Sequence, residues 1–173
     1  VILCHGYGGD GKDISILANY WRAYLPNTIF VCPDAPEICA ASSSGFQWFD
    51  LMDQTPEQIL SKSLVAESKL NKLIDEVKEK NSLLANKIII GGFSQGCMIS
   101  LQTGIKRKDT INSIVGYSGR IIDTEHLGKN IVSKPNIILM HGDTDQIVPI
   151  NSLLEAKDFF NKNNYKIESH IFK

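Results

Sequence analysis

No stretch of this chain is apolar for long enough to cross a bilayer, since its longest runs, such as Ile137-Ile138-Leu139-Met140, have the length of a strand. No signal-peptide pattern opens it, and no block of like charge interrupts it. The formal net charge is -1 over 173 residues and the charged residues are spread along the chain, so no nucleic-acid or polyanion partner is expected and a small or neutral substrate fits better. Repeats and low-complexity tracts are also missing. Cys4, Cys32, Cys39 and Cys97 form no CxxC pair and have no histidine at metal-ligand spacing, so a metal module is not expected. Four such cysteines point to a reducing, cytoplasmic setting. Cys4 and Cys97 lie in apolar strand-end and helix-start contexts and read as small core residues. There is no initiator methionine, and both ends, Val1-Ile2-Leu3-Cys4 and Tyr165 to Lys173, read as strands. The expectation is a piece of a longer protein, trimmed at both ends.

What is present can bury a core. Hydrophobic residues make up 43% of the chain, and residues 1–173 are the size of one domain. Apolar β-rich runs predict strands over 1–4, 28–32, 87–91, 111–117, 136–140 and 165–172. Helical spacing predicts helices over 14–24, 95–104 and 151–161, and a long one to about Lys80. Thr55-Pro56-Glu57-Gln58 starts that long helix, with threonine as N-cap and proline in the first position. Strands alternate with helices, and the strand runs are apolar on both faces. The fold class is therefore α/β, a mostly parallel sheet with helices on both faces. The segment from Pro33 to Trp48 is too long for a plain connection and is expected to form a functional wall.

The chemistry starts at Gly92-Phe93-Ser94-Gln95-Gly96, which follows Lys87-Ile88-Ile89-Ile90-Gly91 and precedes a helix. In a strand-turn-helix of this kind the serine hydroxyl is held outward at the carboxyl end of a strand, and the flanking positions must be glycine to avoid backbone collisions. Serine at its ordinary pKa is a poor nucleophile, so Ser94 needs a histidine base and an acid to orient it. In the α/β-hydrolase order the acid follows the serine and the histidine follows the acid. His141-Gly142-Asp143-Thr144-Asp145-Gln146-Ile147-Val148-Pro149 offers Asp145 and, less favourably, Asp143. Aspartates in such turns often bond only local N–H groups.

These segments together resemble the phospholipase/carboxylesterase family that includes the acyl-protein thioesterases. The resemblance rests on the serine turn, the His141 to Pro149 segment, His5-Gly6-Tyr7-Gly8-Gly9-Asp10, Gln47-Trp48-Phe49-Asp50 and Pro33-Asp34-Ala35-Pro36. It implies an α/β-hydrolase in three layers, with Asp145 as the triad carboxylate and Asp143 as a turn residue. The oxyanion needs two preorganised donors. The N–H of Gln95 is one, and the resemblance puts the second at Tyr7. His5 precedes the nucleophile and is read as a brace for its loop, and His126 as a surface residue. His170 lies inside the last strand and is read as an ordinary strand residue. The family's base sits in a loop after that strand, typically in a Gly-His motif, so it is expected beyond Lys173, and residues 1–173 alone are expected to be inactive or weakly active.

Trp48 and Phe49, with Phe46, are expected to line an acyl pocket. The implied function is hydrolysis of a carboxylic ester or thioester of a small molecule, lipid or acylated protein, through an acyl-enzyme on Ser94, with no metal and no organic cofactor. Two alternatives stand beside it. One is a non-catalytic scaffold that binds an acylated ligand or partner. The other is a dienelactone-type hydrolase, against which Ser94 argues because those enzymes usually carry cysteine.

Overall fold

Isoleucines stack across the sheet that forms the middle of the molecule. In the computed structural model, which describes Val1 to Lys173, five parallel strands run in the order β1 (Ile2–Cys4), β4 (Ile89–Phe93), β5 (Ser113–Tyr117), β6 (Asn136–Gly142) and β7 (Ile167–Phe172). Their register places Ile2, Ile90, Ile114, Ile137 and Ile167 side by side in one row. β-branched side chains suit this pleated, buried surface, and the first four are at most 1% exposed. Complete burial of one such side chain stabilises by about 1.5–3 kcal/mol.

Four helices, α2 (Pro56–Lys80), α3 (Gln95–Lys106), α4 (Thr124–Lys129) and α5 (Asn151–Lys162), lie in the connections that step along this order. Every step runs in one direction, so right-handed crossovers bring these helices to the same face. The opposite face is covered by α1 (Gly11–Trp21), whose Trp21 ring stacks on Tyr117 at 6.4 Å. The layers are thus unequal. Phe93, on the face of α1, remains 48% exposed.

The helices start where local chemistry dictates. Thr55 and Gln58 cap α2 reciprocally, the threonine hydroxyl accepting from the Gln58 N–H at 3.3 Å and the Gln58 side chain accepting from the Thr55 N–H at 2.8 Å. α1 begins three residues earlier than its apolar spacing predicts, because Asp10 accepts from the Asp13 N–H at 2.7 Å and the Gly11 N–H is taken by Asp34 at 2.8 Å. The predicted strand over 28–32 shrinks to one bridge at Val31, which exchanges hydrogen bonds with Val1 and Leu3 on the outer side of β1. Pro33 ends it at once. The long segment after it holds a two-residue ladder, β2 (Glu37–Ile38) with β3 (Phe46–Gln47). α4 has only six residues, too few for a periodic signal, and is capped by Asp123.

α2 is tied to α3 through polar groups as well as apolar ones. Glu67 accepts from Lys106 at 2.6 Å and from Gln102 at 3.1 Å, and all three side chains are largely sheltered. Such a pair is costly to break, since loss of one partner strands a buried charge.

Candidate active site

The chain leaves β4, turns at Ser94 and enters α3 immediately. Ser94 has φ 52°, a left-handed value uncommon for a residue with a Cβ, and its N–H donates to Tyr117 O at 2.8 Å. A Cβ on Gly92 would lie 2.3 Å from the Gly96 carbonyl carbon, and one on Gly96 would lie 2.0 Å from Cys4 O. Both glycines are required by close backbone approach, as the sequence predicts. Ser94 therefore sits at the strand end, on the positive end of the α3 dipole.

Two backbone N–H groups near Ser94, those of Tyr7 and Gln95, donate to no protein acceptor. The Tyr7 loop is pinned around them. Gly8 N–H donates to Phe46 O at 2.9 Å, Phe46 N–H donates to Gly9 O at 2.8 Å, and Gly8 takes φ 78°. Gly6 packs directly against Ser94, the position of a Cβ there lying 3.5 Å from that of Ser94. His5 is buried beneath the loop and accepts from the Ala35 N–H at 2.9 Å through Nε2, with Nδ1 2.7 Å from Gly6 O. That pattern fixes the neutral ring in place and makes it a brace. Burial, with Cys39 and Asp50 beside it, pushes the Tyr7 hydroxyl up to about 12, so the phenol stays protonated.

Gln95 does more than supply an N–H. Its buried side chain accepts from the Trp48 N–H at 2.9 Å and donates to Phe49 O at 2.6 Å, clamping that segment to the start of α3. Trp48 and Phe49 are correspondingly 2% and 0% exposed, and the Trp48 indole donates to His5 O at 3.0 Å. The expectation that these two aromatics line an acyl pocket is corrected here. They are part of the hydrophobic core that carries the site, and the partly buried Phe46 packs against that core. Burying two large rings gains more than leaving them in an open cleft.

The cleft that contains Ser94, about 400 Å³, is instead walled by Leu51, Met98, Ile147, Val148 and Pro149, with Tyr7, Arg120 and Ser152. Sequence reasoning missed most of these. They come from four separate segments and carry no shared motif, although Arg120 follows the end of β5 just as Asp143 follows the end of β6.

Asp145 is held in the turn after β6. Its Oδ1 accepts from the Ile147 and Val148 N–H groups, both at 2.9 Å, and its Oδ2 lies 3.8 Å from His141 Nε2. The Val148 N–H holds this carboxyl below its usual range against the opposing effect of burial. The Ile147 N–H, the Ser118 hydroxyl and His141 add to the lowering. Asp145 thus bonds its local turn with one oxygen while leaving the other outside that turn. Asp143 is exposed and contributes only its N–H, to Phe172 O at 2.8 Å.

The four histidines are all engaged elsewhere. His5 braces its loop, and His141 Nε2 is 2.7 Å from Val148 O. His126 stands half-buried on α4, 3.4 Å from Lys106 Nζ, rather than free on the surface. His170 is exposed on β7 with its Nε2 2.6 Å from Glu168 Oε1, in register with Met140, and does not line the cleft. Cys4 and Cys97 are buried, and burial pushes both thiols up to about 12, which leaves them protonated core residues. No cluster of three or more histidine, cysteine or acidic side chains is arranged to hold a metal ion.

A family model described as phospholipase/carboxylesterase matches residues 1–173. The chain belongs to that family. Acyl-protein thioesterase 1 of Saccharomyces cerevisiae is 32% identical to it over 187 aligned positions, covering 100% of this chain and 81% of the yeast protein. Among solved structures, that of esterase PE8 is similar with a TM-score of 0.93 at 34% identity, covering 99% of this chain and 80% of its own. Arabidopsis thaliana SOBER1 has a TM-score of 0.83 at 21% identity, covering 99% and 86%, which is a likeness of fold alone. Membership in the phospholipase/carboxylesterase family makes the chain an α/β-hydrolase that cleaves carboxylic esters or thioesters. No helix is long and apolar enough to cross a membrane.

Proposed function

We propose that the complete protein hydrolyses its ester or thioester through an acyl-enzyme on Ser94, with Tyr7 and Gln95 as oxyanion donors and Asp145 as the orienting carboxylate. The observation that carries this reading is the left-handed Ser94, held at the base of an apolar cleft beside two N–H groups that donate to no protein acceptor. The Ser94 hydroxyl oxygen attacks the acyl carbonyl carbon and gives its proton to an imidazole. Negative charge gathers on the former carbonyl oxygen, where the two N–H groups stabilise it, each worth about 10²–10³ in rate. Collapse expels the alcohol or thiol, which takes the proton back from the imidazole. Water then attacks the acyl-enzyme by the same route and regenerates Ser94. No step calls for a metal or organic cofactor.

The imidazole is placed by chemistry rather than by any of the four histidines described above. Asp145 Oδ2, left outside its own turn, is the oxygen that would accept from it. The carboxyl end of β7, tied to the Asp145 turn by the bond from Asp143 N–H to Phe172 O, is the place from which such a residue would reach. The name of the yeast relative supports the finer reading that an acylated protein is a substrate. The four free cysteines support a reducing compartment, and we assign the protein to the cytoplasm. Residues 1–173 share one core and belong to one α/β-hydrolase domain.

The test is covalent labelling with an uncharged alkyl fluorophosphonate, followed by peptide mapping. A single phosphonylated residue at Ser94, absent from Ser94→Ala, is expected. Equal labelling of Ser94→Ala would overturn the assignment.

A further inference from the structure

The cleft around Ser94 is apolar over most of its wall and carries one charge. Leu51, Met98, Ile147 and Pro149 supply apolar surface, while the side chain of Arg120 is exposed at the same cleft. Arg107, at the end of α3, by contrast binds Asp75 at 2.6 Å and Asp109 at 2.7 Å. Arg120 has no carboxylate within ion-pair distance and makes no hydrogen bond. Asp145, close by in sequence to Ile147, has one oxygen occupied by its own turn.

A second positive feature meets the same cleft. α5 starts at Asn151 with Ile150 as its N-cap, no capping side chain and no acid in its first turn. Ser152 of that turn lines the cleft, and its hydroxyl has no hydrogen-bond partner. The positive end of the helix dipole and a guanidinium therefore line one space. A neutral substrate would use neither feature.

We propose that Arg120, with Ser152 and the amino end of α5, forms an anion subsite. The preferred substrate is then an ester or thioester that carries an oxyanion, either a carboxylate or a phosphate monoester, beside its apolar portion. A guanidinium fork matches both groups bidentately, and a free serine hydroxyl adds a donor. The proposal rests on Ser94 being the nucleophile, and its test separates the two ideas.

The experiment compares matched pairs. For carboxylate, mono-p-nitrophenyl glutarate is set against p-nitrophenyl pentanoate. For phosphate, lysophosphatidic acid is set against the corresponding monoacylglycerol. The quantity read is the anionic-to-neutral ratio of kcat/KM. In at least one pair the ratio is expected to fall about tenfold in Arg120→Ala, further in Arg120→Glu, and to recover in part in Arg120→Lys. It should also shrink as salt rises from about 0.05 to about 0.5 M. The responding pair identifies the anion. Ratios unaffected by Arg120→Ala in both pairs overturn the subsite and leave the esterase reading intact. If no ester is turned over, fluorophosphonate labelling decides the Ser94 reading, and NMR titration of Ser94→Ala with monomethyl glutarate and glycerol 3-phosphate decides the subsite. Saturable shifts lost in the Ser94→Ala, Arg120→Ala double variant support it. Shifts that persist there, or none in either protein, overturn it.

Discussion

Replacing Gln95 by alanine removes the two bonds that tie the Trp48-Phe49 segment to the nucleophile turn. The Trp48 N–H and the Phe49 carbonyl, both buried, are then left unsatisfied. Each stranded group costs about 1–3 kcal/mol, and the void left by the side chain adds to that, so a loss of about 3–5 kcal/mol is expected. With a urea slope of about 2 kcal/mol/M, the midpoint drops by about 1.5–2.5 M. Trp48 sits on the clamp and Trp21 on α1, so fluorescence follows the transition. Gln95→Glu sharpens the test. Its carboxylic acid can donate to Phe49 O as the amide does, whereas its carboxylate would face that oxygen at about the 2.6 Å of the native bond.

Burial and this repulsion raise the folded pKa of the new group above the unfolded value of about 4.3. Its favourable contribution is fully present below pH ~4.3 and is lost as pH rises through the raised folded pKa. Measured relative to the parent protein, Gln95→Glu should therefore be least destabilised in acid and increasingly so toward neutrality. A midpoint shift below about 0.3 M for Gln95→Ala, or a pH-independent deficit for Gln95→Glu, would refute the clamp.

Two further outcomes follow from the same geometry. Ser94→Gly relieves a backbone conformation that costs a Cβ-bearing residue about 1–3 kcal/mol, so this variant should melt a few degrees higher while losing fluorophosphonate labelling; a lower melting temperature contradicts the strain. Asp145→Asn keeps an oxygen to accept from the Ile147 and Val148 N–H groups, so its fold persists, but acylation of Ser94 should fall by about 10⁴. Because the Asp145 pKa is lowered in the folded state, its stabilisation is present above the ordinary carboxylate range and lost as pH falls through the folded value. The asparagine variant should show a flatter acid limb in a stability-pH profile, and an unchanged limb would contradict the assigned environment.

The parallel sheet was legible because the runs that became β1, β4, β5 and β6 are short and largely apolar and alternate with helical patterns. The nucleophile turn was legible because its demands fall on adjacent residues: a serine, and glycines where Cys4 O and Gly96 leave no space. The cleft was not legible. Leu51, Met98, Arg120 and Ile147 each look like ordinary core or surface residues, and only the fold brings them together. Trp48 and Phe49 were misassigned for the reverse reason, since a pair of large aromatics fits a pocket wall and a core equally well on sequence grounds. The strand at 28–32 failed where propensity met geometry, because Pro33 lets only Val31 pair with β1.

Gln95 shows what a local reading leaves out. Its expected role used only the backbone N–H, which nearly any residue supplies, so that role gave no reason for glutamine. The reason is long-range. An amide has one acceptor and one donor on neighbouring atoms, and it meets the Trp48 N–H and the Phe49 carbonyl across the fold. Leu51, two residues beyond Phe49, is thereby held on the wall of the cleft above Ser94. The residue proposed to offer its N–H to the oxyanion thus also fixes one wall of the cleft that contains Ser94. A substitution at Gln95 should accordingly alter Ser94 reactivity and substrate fit together, even where the N–H itself is retained.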